Sequence, residues 1–305
     1  MYISESVDMF EKVLLPTDFS PDSQRILEYV KDIPGIRKVT LLHADKASTP
    51  LLCESDPGPQ TKNPRILLDE YRDVLEKAGV ADLAVETIVQ TNTRGDLPLT
   101  ILETAETEKV SLIMMGARAN NTDVSILTDS VSANVIRSAK IPVLLMRFPP
   151  ESVAMHDHRN LFSCILVPVD FSKPSEQTLA LVKGMPTAGR VILLHVVNKG
   201  KSDTNQASVQ IAIQAVVEAA RERLEMIQKD LAPAGIPAEV RACAGYAPDE
   251  INATAERDNV TLILMSPHGE GWTRNLRTLF IGSTTSAVIR RVHRPVLVTS
   301  GKKTA

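Results

Sequence analysis

Runs of basic residues and long apolar stretches are both missing from this sequence. Its 305 residues have a formal net charge of -3, so we expect no nucleic acid as the main partner. No window approaches about 18 uninterrupted apolar residues, the length of a membrane-spanning helix, so we expect no membrane partner. The first residues, MYISESVDMFEK, are acidic and lack the apolar core of a signal peptide.

Cysteine is scarce as well. The three cysteines, Cys53, Cys164 and Cys243, are odd in number and far apart, which suits a reducing compartment and offers no metal-ligand spacing. Cys164 and Cys243 lie in apolar, strand-like runs and are expected to be small buried side chains. Cys53 lies in a polar segment and is expected to be an exposed thiol. With the missing signal peptide, this pattern predicts a cytoplasmic protein.

Motifs of common enzymes are missing too. No Ser-His-Asp layout, metal-ligand cluster or Gly-x-Ser-x-Gly motif is recognisable. Gly200-Lys201-Ser202 imitates the end of a Walker A loop, but the first glycine of that loop would fall on His195. Polar residues rather than a helix start follow it. The sequence therefore predicts no catalytic residues.

What the sequence does contain is an internal repeat. The run Val13–Ser20 (VLLPTDFS) returns 152 positions later as Ile165–Ser172 (ILVPVDFS), and Val39–His43 (VTLLH) returns as Val191–His195 (VILLH). Further matches follow in the same order at nearly the same offset, which indicates a duplication. The chain length suits two domains that each bury a core. We predict domains at 1–148 and 161–305, joined by a polar, proline-bearing linker at 149–160.

Each half alternates short apolar runs with amphipathic segments. The apolar runs are continuous rather than alternating, which predicts an α/β fold with a parallel sheet covered by helices on both faces. Ser20-Pro21 and Asn63-Pro64 are good helix starts. In the helix after the second of these, one apolar face is predicted to contain Ile66, Leu67, Tyr71, Val74 and Leu75. The second half has a longer central helix from about Gln206 to Leu231. The strands predicted in the first half are Val13–Pro16, Val39–Ala44, Ala84–Thr91, Leu112–Gly116 and Val143–Phe148.

The stretch from Leu262 to Thr284 carries the clearest chemical signal. It reads as a buried strand at Leu262–Met265, a loop with His268 and Gly269, and a helix that Gly282 opens. Three unpaired backbone N–H groups at a helix start, beside hydroxyl donors, form a site suited to phosphate. In an open parallel sheet this loop would meet the Pro-x-Asp end of the first strand in one crevice.

These residues resemble the universal stress protein family, as a tandem of two domains over nearly the whole chain. The resemblance rests on the P-[TV]-D-F-S opening, the LLH strand and the terminal PVL strand of each half. It implies two doubly wound, five-stranded domains of strand order 3-2-1-4-5, similar to adenine nucleotide alpha hydrolases. ATP-binding members carry Gly-x-x-Gly, nine residues, and then Gly-Ser or Gly-Thr.

Both halves depart from that motif. In the second half Ser266 replaces the first glycine, and twelve residues, including Gly271 and Trp272, separate Gly269 from the intact Gly282-Ser283-Thr284. The first half keeps Gly116, but its departures are more damaging to phosphate binding. Ala119 replaces the second glycine, and Asp129-Ser130 replaces Gly-Ser. A carboxylate at that helix start would repel a phosphate. We therefore expect the nucleotide in the second half.

The resemblance also implies roles for single residues. Val196, just after the second strand, would place its backbone against adenine, and Asp170 would bind the ribose or help to hold a metal. Some residues also have a structural alternative. Asp170 would only form a turn, and His268 would be an exposed loop residue. His43 and His195 would make structural hydrogen bonds. The predicted nucleotide-binding residues are Pro168, Val169, Asp170, Val196, Met265, Ser266, His268, Gly269, Gly282, Ser283 and Thr284.

Two functions of different classes follow. One is a stress-response or signalling module that binds ATP or AMP, with or without Mg²⁺, and hydrolyses ATP slowly at most. The other is a ligand-independent scaffold. We expect the two halves to pair through their fifth strands, because an apolar edge strand left exposed is an aggregation hazard. The sequence leaves a homodimer of whole chains open.

Overall fold

Five strands in each half of the chain form the framework of the protein. The computed structural model describes residues 9–46, 63–92, 95–116, 131–148, 160–185, 189–199, 207–269 and 281–300. The strands are β1 (Lys12–Pro16), β2 (Lys38–Lys46), β3 (Ala84–Asn92), β4 (Leu112–Gly116), β5 (Val143–Met146), β6 (Cys164–Pro168), β7 (Arg190–Asn198), β8 (Ala238–Gly245), β9 (Leu262–Met265) and β10 (Val296–Val298).

Helices connect these strands and cover both faces of the sheet. Short 3-10 segments at Leu27–Asp32 and Ala232–Ala234 follow the first and sixth helices. The α-helices are α1 (Pro21–Ile26), α2 (Pro64–Glu76), α3 (Leu97–Thr107), α4 (Val131–Ser138), α5 (Lys173–Lys183), α6 (Ala207–Leu231), α7 (Ala247–Arg257) and α8 (Ser283–Arg291). Within the described part of the chain, no helix is both long and apolar enough to cross a membrane.

The strands form one ten-stranded sheet of order β3-β2-β1-β4-β5-β10-β9-β6-β7-β8. Within each half the order is 3-2-1-4-5 and all pairs are parallel, which confirms the predicted fold class. The halves meet where β5 and β10 pair antiparallel, with Leu144 opposite Leu297. The two five-stranded sheets are therefore continuous in the structure.

Helix starts are located by local capping, as the sequence predicted. The Ser20 side chain accepts from the backbone N–H of Ser23, and proline occupies the first helical position of α1. Ser172 caps α5 in the same way. At α2, the Asn63 side chain accepts from the N–H of Arg65 at 3.0 Å. Each cap satisfies an N–H group that has no partner inside its helix.

The apolar runs of the strands are buried on both faces of the sheet. In β1 the side chains of Val13, Leu14 and Leu15 alternate between the faces, and all three are fully buried. One apolar cluster lies under α1, α2, α5 and α6, and a second lies under α3, α4, α7 and α8. Both clusters contain residues of both halves, so the core continues across the β5–β10 junction.

Contacts between the halves also form beside the sheet. The Asp32 carboxylate accepts from the backbone N–H of Leu161 at 2.9 Å. A Cβ placed on Gly184 would lie 2.6 Å from the terminal methyl of Met9. Each half therefore contacts the chain segment that leads into the first strand of the other half.

One predicted helix face needs correction. We expected Ile66 and Val74 on the apolar face of α2, but their side chains are 54% and 44% exposed. The buried residues are Leu68, Tyr71 and Leu75, which are spaced three and four apart and therefore share one side of the helix. Ile66 precedes Leu68 by two positions, about 200° around the helix, and so lies on the other side.

Candidate functional site

The candidate site lies at the carboxyl ends of β6 and β9. These strands are parallel neighbours, with Ile165 opposite Leu262. The chain leaves β6 toward β7 and leaves β9 toward β10, so the winding reverses between them. A crevice at such a switch point is the usual ligand site of open α/β sheets. Two of the predicted residues end these strands: Pro168 closes β6 and Met265 closes β9.

Asp170 lies two residues beyond β6, and its two carboxylate oxygens have different neighbours. Its Oδ1 accepts from the backbone N–H of Ser172 at 3.1 Å and from the Ser172 hydroxyl at 2.6 Å. A Cβ placed on Gly269 would lie only 2.6 Å from the other carboxylate oxygen. Asp170 is therefore a turn former, and it also faces the loop after β9. Only glycine at position 269 leaves room for this carboxylate.

A strained residue sets the direction of Asp170. Phe171 has φ 61°, and Phe19, at the same place in the first half, has φ 58°. Both values lie in the left-handed region, which bulky side chains rarely adopt. The Phe171 ring contacts the His195 ring, with 4.6 Å between centroids. This packing stabilises the strained turn that presents Asp170 to the crevice.

His195 and its counterpart His43 have structural roles. His195 Nδ1 lies 2.7 Å from the carbonyl of Val169, and His43 Nδ1 lies 2.9 Å from that of Thr17. A carbonyl only accepts, so the Nδ1–H of each ring is the donor. Val169 is buried, and its N–H donates to the carbonyl of Leu194 at 2.8 Å. These bonds tie the end of each first strand to the second strand, as the structural alternative predicted.

Residues 266–269, the described start of the loop after β9, are held by hydrogen bonds. The Ser266 hydroxyl donates to the carbonyl of His268 at 2.9 Å, and the Thr285 hydroxyl donates to the carbonyl of Ser266 at 2.9 Å. His268 is only 5% exposed, so the alternative of an exposed loop histidine is wrong. Thr285 was missed by the sequence reasoning. Its signal was its place after Ser283 and Thr284 in the first turn of α8.

Gly282 is the N-cap of α8, and it packs tightly against the loop. Its N–H donates to the carbonyl of Pro267 at 2.8 Å. A Cβ on Gly282 would lie 3.2 Å from that oxygen and 3.4 Å from the Cα of His268. Its φ is -55°, so the need for glycine comes from close approach rather than from backbone conformation.

The amide of Gly282, the N-cap residue, is used by Pro267. The next three N–H groups, those of Ser283, Thr284 and Thr285, have no partner inside the helix. The hydrogen bond of Gly282 therefore does not remove the three N–H groups expected at this helix start. Ser283 is exposed and Thr284 is half-buried. An anion at this helix start would therefore be bound from Ser283 onward.

Val196 lies on the neighbouring strand. It is inside β7, which continues to Asn198, so the expectation that it follows the strand was wrong. The pairing of β7 with β6 ends at Leu194, whereas its pairing with β8 continues through Val196 and Cys243. One backbone edge of Val196 therefore faces the crevice. Its side chain packs against the core under α7 and α8.

The described residues of the crevice offer few metal ligands. Across the described ranges, no group of three or more His, Cys, Asp or Glu side chains is arranged to hold a metal ion. Asp170 contributes a single carboxylate at this place, which suits a Mg²⁺ ion that obtains its other ligands from phosphates and water. Cys164 is buried in β6 and Cys243 is half-buried in β8, where it pairs with Val196.

The first half keeps only part of this arrangement. Asp18 is exposed, and its Oδ1 accepts from the N–H of Ser20 at 3.0 Å and from the Ser23 hydroxyl at 2.7 Å. Several residues that decided the sequence-based choice between the halves lie outside the described residues. They are Ala119, Asp129 and Ser130 in the first half and Gly271 and Trp272 in the second. Cys53, predicted to be an exposed thiol, also lies outside the described residues.

Sequence comparison identifies the family of this fold and crevice. The profile of the universal stress protein family matches residues 9–147 and again residues 162–300. The chain belongs to the universal stress protein family. Its two matches make it a tandem member, in agreement with the duplication. The universal stress protein MJ0577 of Methanocaldococcus jannaschii is 31% identical over 160 residues, which cover 47% of this chain and 97% of that protein.

Solved structures share the tandem fold. The crystal structure of a universal stress protein from Archaeoglobus fulgidus matches this tandem universal stress protein with a TM-score of 0.60 and 25% identity, over 95% of this chain and 96% of that one. A functionally unknown protein, PA1789 of Pseudomonas aeruginosa, matches with a TM-score of 0.62 over 96% of this chain and 93% of that one. At 16% identity, the second match shows the fold alone.

Proposed function

We propose that this tandem universal stress protein binds one adenine nucleotide, ATP or AMP, in the crevice of its second domain. The observation that carries this proposal is that Asp170, Gly269 and Gly282 lie next to one another. A Cβ placed on Gly269 would lie 2.6 Å from the Asp170 carboxylate, and a Cβ placed on Gly282 would lie 3.7 Å from the backbone nitrogen of Gly269. Two glycines without Cβ atoms and one carboxylate line the end of β6, the end of β9 and the start of α8. The protein then acts as a nucleotide-dependent stress-response or signalling module in the cytoplasm.

The phosphates are assigned to the start of α8. The helix dipole and the first free N–H groups attract an anion there. Ser283 is exposed and offers a hydroxyl donor beside its amide, and Thr284 offers a second hydroxyl. The backbone of Gly269 completes this side of the crevice without a side chain that would block a phosphate. Ser266 and His268 hold the loop in place through their mutual hydrogen bond.

The nucleoside is assigned to the first and second strands of the domain. Asp170 keeps one carboxylate oxygen toward Gly269 while Ser172 holds the other, so it is placed to accept hydrogen bonds from ribose hydroxyls. The backbone edge of Val196 borders the same crevice and offers polar groups to adenine. The floor of this crevice would be formed by Pro168, Val169 and Met265. When Mg²⁺ accompanies the phosphates, Asp170 is the residue that would contact it.

A scaffold without a ligand is the second candidate function. Two polar groups that would face a phosphate are already used inside the protein. The amide of Gly282 bonds to Pro267, and the hydroxyl of Ser266 bonds to His268. A loop that satisfies its own donors needs no anion to be stable. In that case the tandem fold serves to present a surface to protein partners.

Calorimetric titration distinguishes the two functions. The protein should be unfolded and refolded to remove bound ligand, and then titrated with ATP and with AMP, with and without Mg²⁺. The nucleotide proposal expects saturable binding of at least one of them with about one equivalent per chain. Two equal sites would contradict the assignment to the second domain. No saturable heat with any of them at millimolar concentration would favour the scaffold.

A further inference from the structure

A cleft between α5 and α6 lies beside the nucleotide crevice and has a different lining. Its volume is about 660 Å³, within the range of small-molecule sites. The floor is apolar and includes Val169, Phe171, Leu179 and Ile227. Three cations, Lys183, Arg223 and Lys229, and two acidic residues, Glu176 and Asp230, also border it.

The first half of the chain shows how this cleft arises. There, Tyr71 contacts Phe19 edge-on, with 5.6 Å between ring centroids, and its hydroxyl bonds to Thr17. Tyr71 lies eight residues before Gly79, which has a positive φ after the helix, and Ile227 lies eight residues before Gly235, which also has a positive φ. The second half therefore has isoleucine in place of tyrosine. It also has Val169 in place of Thr17, so both polar groups of the pair are missing.

A buried hydroxyl of the cleft is left without a partner in the second half. Ser23 of the first half donates to Asp18 at 2.7 Å. Its counterpart Ser175 is 2% exposed, borders the cleft, and has no hydrogen bond from its Oγ to any residue that the structure describes. A buried hydroxyl without a partner carries a desolvation cost of about 1–3 kcal/mol. A ligand with a hydrogen-bonding group would remove that cost.

Three cations and two acidic residues border the cleft, so with Glu176 included the charges still favour an anion by one. Lys183 is paired with Asp230. Arg223 lies over the ring of Phe171, with its Cζ 3.7 Å from the ring centroid. Neither Arg223 nor Lys229 forms an ion pair with a residue in the described ranges. A guanidinium held flat on an aromatic ring still presents its N–H edge, which matches a carboxylate.

We propose that this cleft binds a small organic carboxylate with an apolar body. The body would lie on the floor formed by Val169, Leu179 and Ile227, and the carboxylate would bind Arg223. Ser175 would donate to a polar atom of the same ligand. This inference does not rest on nucleotide binding, because Arg223 and Ser175, which would bind the polar atoms of the ligand, have no assigned role in the nucleotide crevice. Val169 is the one residue that borders both. The cleft would allow a metabolite to influence the nucleotide site through Val169, which precedes Asp170.

The test is calorimetric titration of the whole chain with octanoate and with 2-naphthoate. Saturable binding of either one with about one equivalent is expected, and the preference between them identifies an aliphatic or an aromatic body. Arg223→Gln should weaken binding at least tenfold. Arg221→Gln is the matched control on the same helix, and it should leave binding unchanged because Arg221 is exposed and does not border the cleft.

A second variant tests the cleft itself. Ile227→Tyr introduces the side chain that the first half carries, and it should abolish carboxylate binding while circular dichroism and the melting temperature show an intact fold. Arg223→Gln leaves the core unchanged and decides the matter if Ile227→Tyr does not fold. The proposal is overturned if neither carboxylate binds saturably or if Arg223→Gln binds like the unaltered protein. Binding of octanol as tight as that of octanoate would also overturn it.

Discussion

The backbone of Gly282 lies against Pro267, joined to it by a hydrogen bond of 2.8 Å, and a Cβ on Gly282 would approach the same carbonyl oxygen to 3.2 Å. This contact connects the start of α8 to the loop after β9. It makes position 282 sensitive both to size and to charge. Two substitutions separate these effects.

Gly282→Asp should lower ATP affinity tenfold or more. Like charges about 4 Å apart at an effective dielectric of about 20 repel by about 4 kcal/mol, and solvent and metal ions reduce that figure. Gly282→Ala is the control, because it introduces the steric contact without the charge. Titration of both variants with ATP, beside their melting temperatures, measures the difference. Equal affinities for the two folded variants would show that the phosphates lie elsewhere.

Gly269→Ala should disturb Asp170 through direct contact. The new Cβ would lie 2.6 Å from the carboxylate oxygen, so the Asp170 side chain must leave the position in which Ser172 holds it. We expect a loss of about 1 kcal/mol in unfolding free energy, at the low end of the range for overpacked sites, because the displaced atom is the end of a side chain. Urea denaturation measures this loss, and ATP titration should show weaker binding.

The same pair of residues offers a double-mutant cycle. In an Asp170→Ala background, Gly269→Ala should cost much less, because the carboxylate that it would displace is missing. A coupling of about 0.5–3 kcal/mol is usual for residues in contact. Additive effects would contradict the close approach of Asp170 to Gly269.

The contribution of Asp32 to the free energy of unfolding should fall as the pH rises. A salt-bridged carboxylate shows the opposite dependence. Burial raises the pKa of Asp32 above its ordinary value, against the smaller lowering effects of the Leu161 amide and of Lys31. A carboxyl whose pKa is raised on folding favours the folded state at low pH. That advantage is lost as the pH rises from its unfolded pKa through its folded pKa.

Asp32→Asn keeps an oxygen that accepts from Leu161 and removes the charge. This variant should equal or exceed the unaltered protein in unfolding free energy at pH 7, and its relative advantage should shrink at pH 4.5. Asp32→Ala removes the acceptor of the Leu161 amide and should cost about 1 kcal/mol. Urea denaturation at both pH values tests this, and an Asn variant that loses stability as much as Ala would contradict it.

Pairing of the two domains within one chain can be tested by a disulfide. Leu144 of β5 and Leu297 of β10 are directly opposite in the antiparallel register, and the Cβ atoms of such pairs are about 4.5–5.5 Å apart. With Cys53 and Cys243 replaced by serine, the double cysteine variant should oxidise within the chain and remain monomeric in a non-reducing gel. Disulfide-linked dimers would indicate that these strands pair between chains.

Several features of the fold could be predicted from particular residues. The runs Val13–Leu15 and Ile165–Val167 are apolar at every position, which predicts strands covered on both sides, and Ser20-Pro21 locates a helix start. These signals are local, because each depends on neighbours in the chain. The face of α2 was predicted less well, because Ile66 is apolar and yet lies on the exposed side.

Some features of the candidate site could also be predicted from the sequence, and others could not. Its composition was visible in Pro168-Val169-Asp170 and in Gly282-Ser283-Thr284, since their spacing resembles a family motif. The burial of His268 and the role of Thr285 were not visible, because they depend on hydrogen bonds across the loop. The domain boundaries at 149–160 and the roles of the site residues stay predictions.

The sequence by itself determined that this protein is a duplication of an α/β unit, because repeated motifs and apolar runs can be recognised without knowing which residues are close in space. The sequence also predicted that the halves pair through their fifth strands, but only the tertiary structure decided the antiparallel register of β5 and β10. It also decided that the amide of Gly282 is already used and that a cleft opens beside Ile227. Each of these depends on which atoms meet in space. Backbone pairing, close packing and hydrogen bonds act over a few ångströms between residues that are far apart in the chain.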